Sequence, residues 1–195
     1  LWHSVFFSSL AALATIQLAL PIGILAGRYP SRSTTLLEQS TYVTHALPGI
    51  VIAISMVFLG VRLLEPIYLR TPLLVIAYVA LFLPVAVGSI RSAAEQIPDS
   101  LDEVSRSLGL SPWGIVRRVT LPLLAPGLLS AGALVMLAGM KELPATLLLR
   151  PTGSETLASR LWTYTSVSDY AGAGPYALAI IVFVSIPTAI ASRRL

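Results

Sequence analysis

The chain has 195 residues, of which 55% are hydrophobic and only 11% are charged. A soluble globular domain carries charge on about a quarter of its residues, so this composition excludes an ordinary soluble fold and indicates a membrane protein. The sequence contains no cysteine, which excludes disulfides and thiolate metal sites. Its net charge of +4 comes mostly from arginines beside apolar segments, and membrane topology explains these arginines better than nucleic-acid binding does.

Five apolar segments have about the twenty residues that a helix needs to cross a bilayer. In chain order they are predicted at about 5–26, 43–61, 72–90, 127–149 and 175–192. The expected fold is therefore an all-α membrane protein, a single transmembrane domain over residues 1–195 with a polar loop at 91–126. Because the sequence begins with Leu1 rather than Met, we expect it to be a fragment of a longer chain.

The placement of arginine predicts the orientation of these spans, because cytoplasmic loops carry an excess of basic residues. Eight arginines fall on one side and four on the other. The first group is Arg28, Arg32, Arg91, Arg106, Arg117, Arg118, Arg193 and Arg194, and the second is Arg62, Arg70, Arg150 and Arg160. We expect the first group to be cytoplasmic, so that the chain begins outside the membrane, ends inside, and presents the polar loop to the cytoplasm.

The polar loop reads as two short helices joined at a glycine. Ser100 and Glu103 have the spacing of a capping box, which would begin the first helix. Gly109 is expected to end it, because a helix commonly stops at a residue in the left-handed conformation. Ser111-Pro112 would begin the second helix and Leu121-Pro122 would end it. A folded amphipathic hairpin between membrane spans is typical of a surface presented to a soluble partner.

This loop resembles that of the permease subunits of type I ABC importers, which begins Glu-Ala-Ala, has a glycine six residues after the glutamate and ends Ile-x-Leu-Pro. The matching residues are Glu103-Val104-Ser105, Gly109 and Val119-Thr120-Leu121-Pro122, with Val and Ser in place of the two alanines. The resemblance implies a coupling helix that inserts into a groove on an ATPase. The residues expected at that contact are Glu103, Val104, Ser105, Gly109, Trp113, Leu121 and Pro122.

The same resemblance implies the partners. A cytoplasmic ABC ATPase dimer would use the ATP, because this sequence has no Walker A motif of its own and would bind no cofactor. An external substrate-binding protein would deliver cargo, and a second permease half, fused or separate, would complete the pathway within the lipid of a prokaryotic plasma membrane. The chain would be neither an enzyme nor a nucleic-acid-binding protein, and transport would proceed by alternating access.

Two further runs, at 141–146 and 156–162, resemble the C-terminal half of iron(III)-type permeases, which carry two fused copies of the permease core. This implies iron(III) as cargo, although permeases for thiamine, phosphonates, polyamines and sulfate share much of the architecture. An ion-coupled secondary transporter is an alternative, since such proteins use broken helices around a midplane site. That alternative gives the hairpin no function. An intramembrane enzyme would need paired catalytic residues on different spans, and only one polar cluster is present.

That cluster is Lys141, Glu142 and Pro144, in the fourth predicted span. Ionisable residues at this depth usually face a bundle interior or a water-filled cavity, and the proline should break the helix locally. The pattern indicates a gate or a lining of the passage, the alternative being that Lys141 extends its side chain to the interface. His3 and His45 would lie on opposite sides of the bilayer and are not expected to bind a metal.

Other residues of the loops remain open to two interpretations. Arg117 and Arg118 would contact anionic lipid headgroups or the ATPase. Trp113 would be an interfacial anchor or an ATPase contact. In the outer segment 150–174, a short helix at 156–164 would help to receive the substrate-binding protein or lie passively at the membrane surface.

Overall fold

The computed structural model describes the backbone of residues 1–192 and the side chains of residues 1–185. The described part is helical, with two 3₁₀ turns at Thr44–Ala46 and Glu65–Ile67 and one π-helical segment at Val116–Thr120. Its α-helices are α1 (Trp2–Arg28), α2 (Arg32–Tyr42), α3 (Gly49–Arg62), α4 (Thr71–Glu95), α5 (Ser100–Ser107), α6 (Pro112–Ile115), α7 (Leu121–Lys141), α8 (Pro144–Leu149), α9 (Leu157–Ser166) and α10 (Tyr170–Ser192). The predicted all-α fold is confirmed.

Helices α1, α4 and α7 form the central bundle, with α7 antiparallel to the other two. Small side chains fill its core and let the backbones approach closely, as is common between membrane helices. A methyl group added at Gly23 of α1 would lie 2.7 Å from Ile90 Cγ2 of α4, and one at Gly127 of α7 would lie 2.5 Å from Ala93 Cβ. We call the end at which α1 and α4 finish and α7 begins the hairpin end, and the opposite end the far end.

Three helices in the described chain are long and apolar enough to cross a membrane, namely Trp2–Arg28, Thr71–Glu95 and Pro112–Lys141. A fourth crossing exists if Arg32–Ala46 and Gly49–Arg62 count as one broken span, although they meet at 98°. The part of α10 whose side chains are described, Tyr170–Ser185, is apolar but shorter. The predicted count of five is therefore not confirmed, and the rest of the span predicted at 175–192 carries side chains outside the described residues.

The span predicted at 43–61 is not one straight helix. Leu47 is extended, with φ −93° and ψ 139°, because a residue that precedes proline is sterically driven out of the helical region. Pro48 is extended as well, and α3 begins at Gly49. The chain consequently turns through an elbow at this dipeptide, and α3 covers only the half of the bundle nearest the far end.

The bounds predicted for the fourth span, 127–149, are also wrong. A single helical run extends from Pro112 to Lys141, so Leu121-Pro122 does not end the second helix of the hairpin. In the π-helical segment the N–H of Leu121 bonds to the carbonyl of Val116, five residues back, and this wider turn accommodates the proline ring in the first turn of α7. The loop predicted at 91–126 is thus largely helical.

Two small units complete the far end. Helix α8 packs between α3 and α4 in a core that includes Ala53, Leu74 and Ala145. Helix α9 corresponds to the short helix predicted at 156–164, and its first turn is held by a capping box between Thr156 and Ser159.

Candidate functional site

The hairpin begins differently from the sequence prediction. Asp99, not Ser100, is the residue before α5, and its side chain makes no capping hydrogen bond, so the predicted capping box of Ser100 and Glu103 is wrong. The N–H of Leu101 bonds to the carbonyl of Pro98 at 3.2 Å, and Asp99 already has helical angles. The chain therefore enters α5 through a turn that starts at the proline, and Ser100 is too far into the helix to cap it.

The turn of the hairpin is the one that the sequence predicts. Gly109 has φ +82°, the left-handed region. Its N–H bonds to the carbonyl of Arg106 at 2.9 Å, and the N–H of Leu110 bonds to that of Ser105 at 3.1 Å, which is a Schellman motif. Ser111 Oγ then accepts from the N–H of Gly114 at 3.2 Å and caps α6. These bonds fix the angle between α5 and α6, the two helices of the hairpin.

The hairpin presents an apolar surface to its surroundings. Leu108 is 76% exposed, Trp113 71% and Val104 55%. Such large apolar side chains grouped on a folded hairpin are typical of a protein contact. We call Val104, Leu108 and Trp113 the apolar tip.

Five of the seven predicted contact residues are exposed, and the other two pack inside the protein. Glu103, Gly109 and Pro122 are exposed, together with Val104 and Trp113 of the apolar tip. Ser105 is buried and donates its hydroxyl to the carbonyl of Leu101 at 2.6 Å. Leu121 packs into the core beneath the hairpin. The sequence prediction missed Leu108, although its spacing from Val104 within one helix is a signal that could have found it.

A buried ion pair joins the hairpin to α1. Arg28, the last residue of α1, places Nη2 2.8 Å from Asp102 Oδ1 of α5, and the two side chains are 2% and 11% exposed. Arg28 Nη1 also donates to the carbonyl of Ile97 at 2.9 Å, and the Tyr29 hydroxyl lies 3.2 Å from Asp102 Oδ2. The sequence interpretation treated Arg28 only as a topology signal and selected Glu103 rather than Asp102, because spacing alone does not reveal a partner 74 residues away.

A second charged contact lies at the same end. Arg91 Nη1 of α4 donates to both carboxylate oxygens of Glu38 in α2 at 2.8 Å, and its Nε donates to Glu95 at 2.7 Å. Arg91 is 42% exposed, so solvent screens this cluster more than the Arg28 pair. The contact holds α2 against α4, and so limits the movement of the elbow at Leu47-Pro48 that follows α2.

The Lys141, Glu142 and Pro144 cluster marks a broken helix. Helix α7 ends at Lys141, Glu142 is extended with φ −69° and ψ 121°, and α8 begins at Pro144. The predicted local break is confirmed. Lys141 is exposed, whereas Glu142 is half-buried, so the structure separates these two neighbouring side chains.

The carboxylate of Glu142 lies where two half-helices begin. Its Oε1 accepts from the N–H of Ala145 in the first turn of α8 at 3.3 Å. A methyl group at Gly49, the first residue of α3, would lie 3.6 Å from the same oxygen and 3.7 Å from Leu81, near the middle of α4. Helix N-termini carry partial positive charge, which favours a carboxylate at this depth.

Buried hydroxyls anchor the broken helix. Thr146 Oγ1 donates to the carbonyl of Glu142, and because its single proton is then used, the Tyr78 hydroxyl of α4 donates to Thr146 Oγ1. Both side chains are almost fully buried. The sequence prediction missed Tyr78, since nothing in its apolar surroundings distinguishes it from a core aromatic residue.

The two histidines lie on separate elements. His3 is at the far end, where Nδ1 accepts from the N–H of Glu155 at 3.4 Å, and His45 is in the 3₁₀ turn before the elbow. Next to His3, Ser4 Oγ accepts from the N–H of Leu157 at 2.7 Å. These two bonds tie the start of α1 to the start of α9.

Membrane-length helices, a helix broken inside the bundle and an exposed hairpin at one end define a membrane transport component. The chain belongs to the family of binding-protein-dependent transport system inner membrane components, whose sequence profile matches residues 19–193. This is a family of transport permeases and not of enzymes.

Among curated relatives, the chain is 42% identical over 185 residues to the Fe(3+)-transport system permease protein FbpB 2 of Haemophilus influenzae, which covers 95% of this chain and 37% of that protein. It is 25% identical over 186 residues to the putative 2-aminoethylphosphonate transport system permease protein PhnV of Salmonella typhimurium, which covers 92% of this chain and 69% of that protein. The chain thus spans little more than a third of the length of its Fe(3+) relative.

The fold also matches a solved transporter. A chain of the methionine ABC transporter MetNI in an inward-facing conformation superposes with a TM-score of 0.78 and 18% identity, over 98% of this chain and 91% of that one. At that identity the match concerns the fold alone. With the family match, it confirms the predicted resemblance to the permeases of type I ABC importers.

Proposed function

We propose that this chain is the membrane permease part of an ATP-driven ABC importer, and that its hairpin docks on a cytoplasmic ATPase dimer. The observation that carries this proposal is the apolar tip, with Leu108 76% exposed and Trp113 71% exposed on a turn fixed by the left-handed Gly109. A rigid apolar projection of this kind suits insertion into a groove of a folded partner. ATP-driven closure of that partner would then bias the helices between two states.

This function assigns a side to each end of the bundle. The hairpin end would be cytoplasmic, where Arg106, Arg117 and Arg118 follow the positive-inside rule. The far end would face an external substrate-binding protein, with α9 and the segment before it as the receiving surface. A second permease half, fused or separate, would complete the translocation pathway.

Within the pathway, we assign Lys141, Glu142 and Pro144 to the lining or gate. The support is the half-buried carboxylate of Glu142 at the junction of α3 and α8, next to the buried apolar side chains of that core. Charged groups inside a membrane bundle are expensive to maintain without a function.

The proposed cargo is iron(III). Its support is the 42% identity to FbpB 2, a relative whose name specifies Fe(3+) transport. The alternative is another small solute, because PhnV, a relative at 25% identity, is named for 2-aminoethylphosphonate. Uptake of radioactive iron(III) by reconstituted transporter, with and without competing 2-aminoethylphosphonate, separates the two cargoes.

The coupling function is tested by placing a polar side chain in the apolar tip. Leu108→Ser should reduce co-purification of the ATPase by at least fivefold, because a buried leucine contributes about 1.5–3 kcal/mol to an interface. Val167→Ser is the matched control, since Val167 is 71% exposed but lies beyond α9 at the far end. Equal ATPase recovery from both variants, or uptake driven by an ion gradient without any ATPase, would overturn the proposal.

A further inference from the structure

The hairpin is fastened to the bundle through the last turn of α1. Arg28 pairs with Asp102 in the first turn of α5, and Tyr29 contacts the second oxygen of the same carboxylate. Arg28 also binds the carbonyl of Ile97, which lies between α4 and α5. Arg28, the last residue of α1, and Tyr29, the residue that follows it, therefore hold both the approach to α5 and its first turn.

Stability alone does not explain this pair. Removing two charges from water offsets most of their attraction, so a buried ion pair is weak evidence for a stabilising role. The approach of Arg28 Nη2 to Asp102 Oδ1 is not aligned as a hydrogen bond, and Nε and Nη2 of Arg28 have no aligned partner among the described residues. Apolar side chains would fill the space at a lower desolvation cost. What the pair adds is position: Nη1 of Arg28 donates to the carbonyl of Ile97 just before α5, while its charge and the Tyr29 hydroxyl hold the Asp102 carboxylate of α5 next to the end of α1.

Building on the function proposed above, we infer that the Arg28–Asp102 pair, with Tyr29, is the link through which movement of the hairpin passes directly to α1. The hairpin and the adjoining turn of α1 move as one body. Arg28 and Asp102 are positioning residues, since both side chains are buried against each other where α1 meets the hairpin and would act through the helices that carry them. The pair lies between the surface that would meet the ATPase and the helix that runs through the bundle.

Helix α1 is suited to carry this movement across the protein. Its 27 residues extend about 40 Å as one helix. A methyl group at Gly27 would lie 2.8 Å from the carbonyl oxygen of Arg91, so the backbones of α1 and α4 are in direct contact without a layer of side chains to absorb a shift. At the far end, Ser4 bonds to the N–H of Leu157, the first residue of α9. A displacement applied at Arg28 therefore reaches the segment that would meet the binding protein.

The link is tested in the full-length transporter, reconstituted into proteoliposomes with its ATPase and binding protein. The measured quantity is the amount of cargo imported per ATP hydrolysed. Asp102→Asn should lower this ratio at least fivefold while the amount of co-purified ATPase stays unchanged. Asp99→Asn is the matched control, because its carboxylate is 91% exposed and 3.9 Å from Arg28, and its ratio should stay within twofold of wild type.

A second variant separates linkage from folding. The double replacement Arg28→Met with Asp102→Leu removes both charges and fills the space with apolar groups, a change that often leaves stability unaltered. We expect wild-type thermal stability and ATPase binding with a lowered ratio of cargo to ATP. A wild-type ratio in this variant or in Asp102→Asn would overturn the link and leave the importer function standing. A wild-type complex that never imports cargo on ATP would overturn both.

Discussion

Gly109 determines whether the hairpin can form its turn. Its φ of +82° is unfavourable for a β-branched residue, and a Cβ there would meet nothing within 4 Å, so a substitution acts through backbone conformation alone. We expect Gly109→Val to reduce co-purification of the ATPase at least tenfold. Gly109→Asn should retain most of it, because asparagine tolerates the left-handed region. Equal recovery with both variants would contradict this role for the turn.

Glu142 offers a second test at a single side chain. Glu142→Gln keeps an oxygen that can accept from the N–H of Ala145 but removes the charge at the start of α3 and α8. Uptake should fall at least fivefold while the variant assembles normally with its ATPase. Glu65→Gln, an exposed carboxylate in a 3₁₀ turn, is the control and should transport normally. Wild-type uptake by the Glu142 variant would remove this residue from the pathway.

The buried hydroxyls of Tyr78 and Thr146 predict an effect on stability. Tyr78→Phe removes the donor to Thr146 Oγ1 and preserves the ring that packs in the core. The loss should be about 1 kcal/mol, the usual net contribution of one hydrogen bond. Thermal unfolding of the purified protein measures it. Tyr176→Phe is the comparison: Tyr176 stacks on Tyr164 at a ring separation of 5.4 Å, a contact that the change preserves. A melting temperature that falls equally in both variants would argue against the bond.

Contacts between whole helices depend on glycines that no side chain can replace. In an ordinary helix, Gly→Ala stabilises by about 1 kcal/mol. At Gly23 the sign should reverse, because the new methyl group would lie 2.7 Å from Ile90 Cγ2 and 2.8 Å from Ile90 Cβ and would force α1 away from α4. At Gly174 of α10, where nothing lies within 4 Å, the usual stabilisation should appear. Melting temperatures of the two variants, measured in the same detergent, test the contrast.

The sequence predicted which segments are helical more reliably than where each helix ends. Hydropathy reports the apolar length of a segment, so α1 and α4 were located well. Three prolines in similar apolar surroundings behave differently: Pro48 forms an elbow, Pro122 sits after a π-helical turn, and Pro144 begins a half-helix. Those outcomes depend on which neighbouring helix supplies hydrogen-bond partners and space, which a single sequence does not encode locally.

The same limit applies to the candidate site. The Gly109 turn and the break near Pro144 follow from local stereochemistry, so they were predictable. The pairing of Arg28 with Asp102 and the approach of Glu142 to Gly49 bring together residues far apart in sequence, and they exist only because α1, α4 and α7 pack as a bundle. Long-range contacts therefore create the parts of the site that the sequence analysis missed.

The arrangement of the whole molecule places the hairpin at one end and α9 at the other, which yields a test of orientation. These 195 residues contain no cysteine, so a cysteine introduced among them is the only thiol in this segment. In intact cells, a membrane-impermeant thiol reagent should label Thr152→Cys, at the far end, and leave Leu108→Cys unlabelled. In inside-out vesicles the pattern should reverse, and added ATPase should protect Leu108→Cys, because the apolar tip would be buried against it. Labelling of Leu108→Cys in intact cells would place the hairpin outside and contradict the proposed coupling.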